Sequence, residues 1–101
     1  MNVVQQAFLS QMALHRMRLN KVREAVKTEA DKLKLVEWFM EWLNITQLKK
    51  RTKSLYIADL NFILSSDDEA VLWACSTTQN TRTVLKHLVE IIESKKKARR
   101  K

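Results

Sequence analysis

The sequence predicts an all-α fold, a compact bundle of four to five helices, and two observations carry this prediction. The chain of 101 residues contains no glycine and no proline, although average usage would supply about 12 such residues. Without glycine, the positive φ values of tight hairpin turns are hard to supply, which disfavours a multi-stranded antiparallel domain. Apolar residues also recur at spacings of three and four, which is the period of a helix rather than of a strand.

The first predicted helix covers about residues 2–27 and carries an apolar stripe along one face. At about 1.5 Å per residue it would be roughly 40 Å long, more than the rest of a small globule covers. We therefore expect a second copy of the chain or another protein to cover part of the stripe, which gives a homo-oligomer or a hetero-complex. The alternative is that the helix bends. The candidate interface residues on this face are Val4, Phe8, Met12, His15 and Leu19.

Thr28 marks the predicted start of the second helix, because a threonine hydroxyl can cap the free amides of a first turn. Glu29 and Asp31 follow it, where negative charge favours the positive end of a helix. The apolar phase also continues across this point, so one continuous long helix is the alternative. Apolar residues nearly surround the axis over residues 35–43, which predicts that this helix is the central one and buries its two tryptophans.

Three further helices are predicted after a break at residues 44–46. The third begins near Gln47 with a basic first turn. The fourth is short and begins at Ser66, which forms a capping-box pattern with Glu69. The fifth begins near Thr81 and continues into the C-terminal basic segment, so the whole chain reads as helices joined by short polar turns.

The charge pattern divides the chain into a helical domain, residues 1–94, and a basic tail, residues 95–101. We expect the tail to be flexible because its charges repel one another. Cations that neutralise phosphates release condensed counterions, which gives sequence-independent affinity for nucleic acid. A targeting signal, an acidic protein or membrane surface, and solubility alone are the alternatives. The tail contributes most of the net charge of +8 through Lys95, Lys96, Lys97, Arg99, Arg100 and Lys101.

Further basic residues lie on the first helix and at the starts of the third and fifth helices. They would form one patch with the tail if the helices bring them together, and otherwise they are solvated helix faces. Residues 66–92 also have the outline of a helix-turn-helix, but the missing turn glycine and the acidic start are more typical of a simple helical hairpin. The additional candidates for nucleic-acid binding are Arg16, Arg23, Lys27, Lys49, Lys50, Arg51, Lys53, Arg82 and Lys86.

Catalysis, metal binding and cofactor binding have little support in the sequence. His15, His87 and the single cysteine, Cys75, are far apart along the chain and lack the spacing of a zinc site. A chain with one cysteine forms no internal disulfide, which favours a reducing compartment. No leader peptide and no apolar stretch of about 20 residues is visible. We therefore expect a non-enzymatic intracellular protein, cytoplasmic or nuclear, that needs no cofactor.

Two functions fit these observations. The first is a small regulatory protein that binds nucleic acid, DNA or RNA, mainly through electrostatic contacts. The alternative is a helical protein-interaction module, an accessory or inhibitory factor of viral or phage origin that acts on a larger host protein. In both cases Trp38, Trp42 and Trp73 are expected in the core rather than on an exposed stacking platform, because apolar residues surround them in the sequence.

Overall fold

The computed structural model describes residues 3–99 of the chain, and it describes side chains for residues 10–98. Within this range the chain forms five helices and no strand. The helices are α1 (Val3–Ala25), α2 (Glu29–Ile45), α3 (Lys50–Ser65), α4 (Asp68–Thr77) and α5 (Gln79–Arg99). The prediction of an all-α bundle is confirmed.

The start of α2 is the predicted one. The Thr28 hydroxyl accepts a hydrogen bond from the Asp31 amide at 3.1 Å, and the first turn carries two carboxylates. Residues 26–28 leave the helical conformation, so α1 and α2 are separate and the alternative of one continuous helix is wrong.

The start of α4 lies one residue later than predicted. Its cap is Asp67, whose carboxylate accepts a hydrogen bond from the Ala70 amide at 2.9 Å. The Ser66 amide instead donates to the Phe62 carbonyl and closes α3. The capping-box prediction for Ser66 is therefore wrong, because this serine belongs to the end of the preceding helix.

Two other boundaries also move. Helix α3 begins at Lys50 rather than near Gln47, and Lys49 precedes it without a side-chain cap. Helix α5 begins at Gln79 rather than near Thr81, which leaves Thr78 as the only residue between α4 and α5. The hydroxyl-rich string before Thr81 is therefore mostly helical.

The chain turns without left-handed backbone. No residue of the described range has a positive φ. The junctions use extended residues instead: Thr28 has φ −125° and ψ 165°, and Thr78 has φ −129° and ψ 120°. One extended residue changes the direction of a helix at no steric cost to a side chain, which explains how a chain without glycine connects its helices.

Helix α5 is the central element and packs against all four other helices, so the prediction that α2 is central is wrong. α2 packs mainly on α3 and α5, and these two neighbours cover less than the wide apolar surface of α2. The fully buried core comprises Leu19, Val22, Leu35, Phe39, Leu43, Leu60, Ile63, Val71, Leu72, Cys75, Val84, Leu85, Leu88, Val89 and Ile92.

The tryptophans lie nearer the surface than predicted. Trp38 and Trp42 on α2 are half-buried, and Trp73 on α4 is 71% exposed. α4 buries Val71, Leu72 and Cys75, and the helical period places Trp73 on the opposite side. The prediction that Trp73 is a core residue is wrong.

The apolar stripe of α1 packs partly into the chain's own core. Leu19 is 1% exposed and His15 is 4% exposed, and Met12 is half-buried against the same core. Helices α4 and α5 cover this part of α1, so these residues need no partner for their burial. The side chains of Val4 and Phe8 lie outside the described residues, and association through α1 stays a prediction.

The basic tail has no structural boundary at its predicted start, because α5 continues through Arg99. Cations at the last turn of a helix interact favourably with its negative end, which opposes the repulsion among them. Arg100 and Lys101, and the side chain of Arg99, lie outside the described residues.

Candidate nucleic-acid interface

The C-terminal part of α5 and the first half of α2 enclose a cavity of about 200 Å³, which we call the basic cleft. Three of its lining residues are cationic and one is anionic. Trp38 supplies an aromatic wall, and Lys95 and Lys96 supply cations from the predicted basic tail. The lining consists of Ala25, Asp31, Lys34, Leu35, Trp38, Ile92, Lys95 and Lys96.

Lys95 lies directly against the aromatic wall of the cleft. Its Nζ is 5.5 Å from the centre of the Trp38 ring, within the range of a cation–π interaction. Trp38 faces Lys95 and Trp42 faces His87, so α2 and α5 run antiparallel along a shared seam. A cation and a half-buried aromatic ring from distant parts of the chain thus meet at one point.

Glu93 forms an ion pair between the basic end of α5 and α1. Its carboxylate accepts a hydrogen bond from Lys21 Nζ at 2.6 Å. The pKa of Glu93 is lowered, mainly by the hydrogen bond from Lys21 and by the positive charge of Lys21. Lys97 and Lys96 make smaller contributions. One carboxylate near the end of α5 thus lies close to three lysines, Lys21, Lys96 and Lys97.

Arg23, a predicted nucleic-acid contact, connects three elements of the fold. Its Nε donates to Asp68 Oδ1 at 2.9 Å, its Nη1 to the Ile63 carbonyl at 2.8 Å and its Nη2 to the Ser66 carbonyl at 2.7 Å. These acceptors lie at the end of α3 and the start of α4, where helical carbonyls lack partners. Arg23 therefore acts as a cap for α3, and its guanidinium is largely used inside the fold.

Two other cations of α1 are paired at the surface. Arg16 Nη2 lies 3.3 Å from Glu69 Oε1, and Lys21 pairs with Glu93. The side chains of both pairs are about half exposed or more, and such pairs contribute little to stability. Lys27 is exposed in the turn after α1, two residues beyond Ala25 of the basic cleft.

The basic start of α3 lies away from the cleft. Lys49, Lys50 and Arg51 are exposed and Lys53 is half-buried. They follow the C-terminus of α2, whereas Lys34 lies in its first half; at about 1.5 Å per residue the two positions are roughly 16 Å apart along α2. The structure thus does not bring this cluster into the basic cleft.

In residues 66–92, where the sequence has the outline of a helix-turn-helix, the polar residues at the start of α5 are not all free to contact bases. Thr81 is buried and its hydroxyl donates to Asp59 Oδ1 at 3.0 Å. Arg82 is half-buried, and Lys86 is exposed beside His87 on the seam with α2. The start of α5 is therefore partly committed to packing against α3.

The histidines and the cysteine have pKa values shifted by burial. Burial lowers the pKa of His15, with Arg18 and Arg82 adding to the effect, and burial lowers the pKa of His87. Burial raises the pKa of the Cys75 thiol to about 11, so it is protonated at neutral pH. Among the residues with described side chains, no group of histidine, cysteine or carboxylate residues is arranged to hold a metal ion.

None of the five described helices is both long enough and apolar enough to cross a membrane. Comparison of the chain with protein-family models, with curated proteins and with solved structures found no match.

Sequence reasoning missed the combination of Trp38 with Lys34, Lys95 and Lys96. The proximity of Lys34 to Trp38 could be predicted from the sequence, since Lys34 lies one turn before Trp38 on α2. The α5 lysines are more than 50 positions away, and only the antiparallel packing of α2 on α5 brings them to the ring.

Proposed function

We propose that the protein is a small non-enzymatic regulatory protein that binds nucleic acid mainly through electrostatic contacts, with the basic cleft as the centre of its binding surface. The supporting observation is the placement of Trp38 among Lys34, Lys95 and Lys96. Proteins that hold single strands without sequence preference combine a positive groove with aromatic rings on which bases stack.

Each part of the cleft has a role in this proposal. Lys34 and Lys96 contact phosphates, and Lys95 moves from the Trp38 ring to a phosphate when a base stacks on that ring. Lys97 and the cations that follow it on the chain extend the attraction, and Lys27 lies at the edge of the cleft. The protein acts inside the cell, where nucleic acid is available and where its single free thiol stays reduced.

The experiment is a salt titration of binding to labelled single-stranded DNA, duplex DNA and RNA by fluorescence anisotropy. The triple variant Lys34→Gln/Lys95→Gln/Lys96→Gln should lose about ten- to a hundredfold in affinity at low salt, and its log–log salt slope should fall by about 2. Trp38→Leu should weaken single-strand binding by about tenfold, since stacking on an aromatic side chain contributes about 1–3 kcal/mol per base.

The matched control is Lys49→Gln/Lys50→Gln/Arg51→Gln, which removes the same charge from the start of α3. It should reduce affinity and slope clearly less than the cleft variant. Equal losses in the two variants would show that net charge rather than the cleft attracts the ligand. Failure of the wild-type chain to bind any of the three nucleic acids at low ionic strength would refute the function itself.

A protein-interaction module is the second candidate function, and exposed apolar side chains favour it. Ile45 is 81% exposed, Trp73 71% and Leu33 68%. Under this function the cleft variant retains its protein partner in a pull-down with purified components, and nuclease treatment leaves the complex intact.

A further inference from the structure

A second groove lies on the same seam and extends from Trp38 toward the C-terminus of α2. It has a volume of about 510 Å³, within the range of binding cavities. Trp42 and Ile91 contribute apolar surface from α2 and α5, and Ile45 stands at one end with 81% of its surface exposed. We call it the acidic groove, for the charges on its two walls.

The aromatic wall of the acidic groove is fixed before any ligand arrives. The Trp42 ring lies 4.4 Å from His87, 5.4 Å from Phe39 and 6.5 Å from Tyr56, measured between ring centres, and it is nearly parallel to the tyrosine. These contacts come from α2, α3 and α5, so three helices hold the ring. A preformed wall reduces the ordering cost of binding.

The walls of the acidic groove carry negative charge on a protein with a net charge of +8. Glu41 projects from α2 and Glu90 from α5, and both are exposed. Among the described side chains neither carboxylate takes part in an ion pair. Lys95 lies at the far end of the groove, where its ammonium is over Trp38.

We propose that the acidic groove is the docking site for an amphipathic helix of another protein, one whose apolar stripe is flanked by lysine or arginine. The stretch from Trp38 to Ile45 covers about two helical turns, roughly 10 Å. This length matches apolar anchors at spacings of three, four and seven on a partner helix. Glu41 and Glu90, on opposite walls, face the flanking cations. The acidic groove adjoins the basic cleft, with which it shares Trp38 and Lys95, and the proposal does not depend on nucleic-acid binding.

Two designed peptides test the charge preference of the acidic groove. Both are amphipathic helices of about four turns with the same leucine stripe; one carries lysine and the other glutamate at every polar position. The net charge of the protein favours the glutamate peptide, whereas the groove favours the lysine peptide. At about 0.15 M salt, where distant charges are screened, calorimetry should give at least about tenfold tighter binding of the lysine peptide.

The double variant Glu41→Gln/Glu90→Gln should weaken binding of the lysine peptide about fivefold, since exposed ion pairs contribute only modestly to binding. The matched control is Glu24→Gln/Glu69→Gln, which removes the same charge from exposed positions on α1 and α4, and it should leave the affinity unchanged. Ile45→Asp should abolish binding while the melting temperature stays close to that of the wild type. Nucleic-acid affinity should be equal in the two glutamine variants.

Three results would overturn the proposal. One is equal or tighter binding of the glutamate peptide. Another is an equal effect of the groove and control variants on the lysine peptide. The third is a dimer of the wild-type chain in sedimentation that Ile45→Asp dissociates, because a second copy would then occupy the groove.

Discussion

The seam between α2 and α5 carries opposite charge at its two ends. The basic cleft combines Trp38 with Lys34, Lys95 and Lys96, and the acidic groove combines Trp42 with Glu41 and Glu90. Helix α2 supplies the aromatic wall in both places. The difference in charge between the two ends comes from polar residues one or two turns apart on the same two helices.

A comparison of Arg23 with Lys95 also indicates that a basic residue in the sequence is not by itself a binding residue. Arg23 closes the end of α3, whereas Lys95 lies over the half-buried ring of Trp38. Both are cations on helices, and only their neighbours in space distinguish them.

The largest expected effect comes from removing the support that both ends share. Phe39 is completely buried in α2 and packs against Trp42 at 5.4 Å. Phe39→Ala should reduce the free energy of unfolding by about 3–5 kcal/mol, as measured by urea denaturation. Binding at the basic cleft and at the acidic groove should be lost together.

Leu33→Ala is the control for this variant, because Leu33 lies on the same helix and is 68% exposed. It should change stability by less than about 0.5 kcal/mol. Loss of binding at one end only in Phe39→Ala would mean that the two ends do not share a scaffold.

The next largest effect concerns Arg23. Arg23→Met keeps the alkyl stem and leaves the Ile63 and Ser66 carbonyls without their donor, so unfolding should become easier by about 2 kcal/mol. Nucleic-acid affinity should stay near the wild-type value under conditions where the variant is folded.

Arg16→Met removes another α1 cation whose pair with Glu69 is exposed, and it should cost at most about 0.5 kcal/mol. If Arg23→Met instead weakens nucleic-acid binding at unchanged stability, Arg23 belongs to the binding surface as the sequence predicted.

Charge reversal at the acidic groove tests whether charge alone distinguishes this groove from the basic cleft. Glu41→Lys/Glu90→Lys extends the positive surface along the whole seam. Single-stranded DNA should then bind about tenfold tighter at low salt, because two more cations release counterions. The lysine peptide should no longer bind, and fluorescence anisotropy follows both ligands.

Glu24→Lys/Glu69→Lys gives the same change in net charge on α1 and α4. A gain in DNA affinity as large as that of the groove variant would show that position along the seam is unimportant.

The sequence predicted the helical class and the Thr28 cap because these depend on local spacing and on the absence of glycine. The predictions from sequence were wrong where tertiary packing determines which helix is central and which side chains are buried. The apolar residues around α2 predicted a central helix, yet the two neighbours of α2 leave Trp38 and Trp42 half-buried, and α5 occupies the centre. The exposure of Trp73 was readable from the helical period of Val71, Leu72 and Cys75, which places it on the outer side.

The candidate sites were beyond sequence reasoning for a related reason. Lys95 was predicted as a nucleic-acid contact, but its position over Trp38 depends on the antiparallel packing of α2 on α5. Glu90 was not singled out at all, because its meaning comes from Glu41 on the facing wall. Likewise the hydrogen-bond acceptors of Arg23 lie 40 to 45 positions away along the chain, and no local sequence pattern predicts them.

The smallest expected effect is a dependence of stability on pH. Burial lowers the pKa of both His15 and His87 in the folded protein from the ordinary value of 6.5. Near and below this value the unfolded chain therefore binds more protons than the folded chain, and stability falls as the pH decreases. The melting temperature should be lower at pH 5.5 than at pH 7.5, a range in which carboxylates stay largely ionised.

The two histidines have different charged neighbours. The charges near His15, Arg18 and Arg82, add to the effect of burial, and His15 Nδ1 has no hydrogen-bond partner among the described residues. Glu90 of the acidic groove opposes the effect of burial on the pKa of His87, whereas Lys86 adds to it. His15→Leu and His87→Leu should each remove part of the pH dependence, and Glu90→Gln should lower the pKa of His87 further in an NMR titration. Stability that rises between pH 7.5 and 5.5 would contradict the burial of both rings as neutral groups.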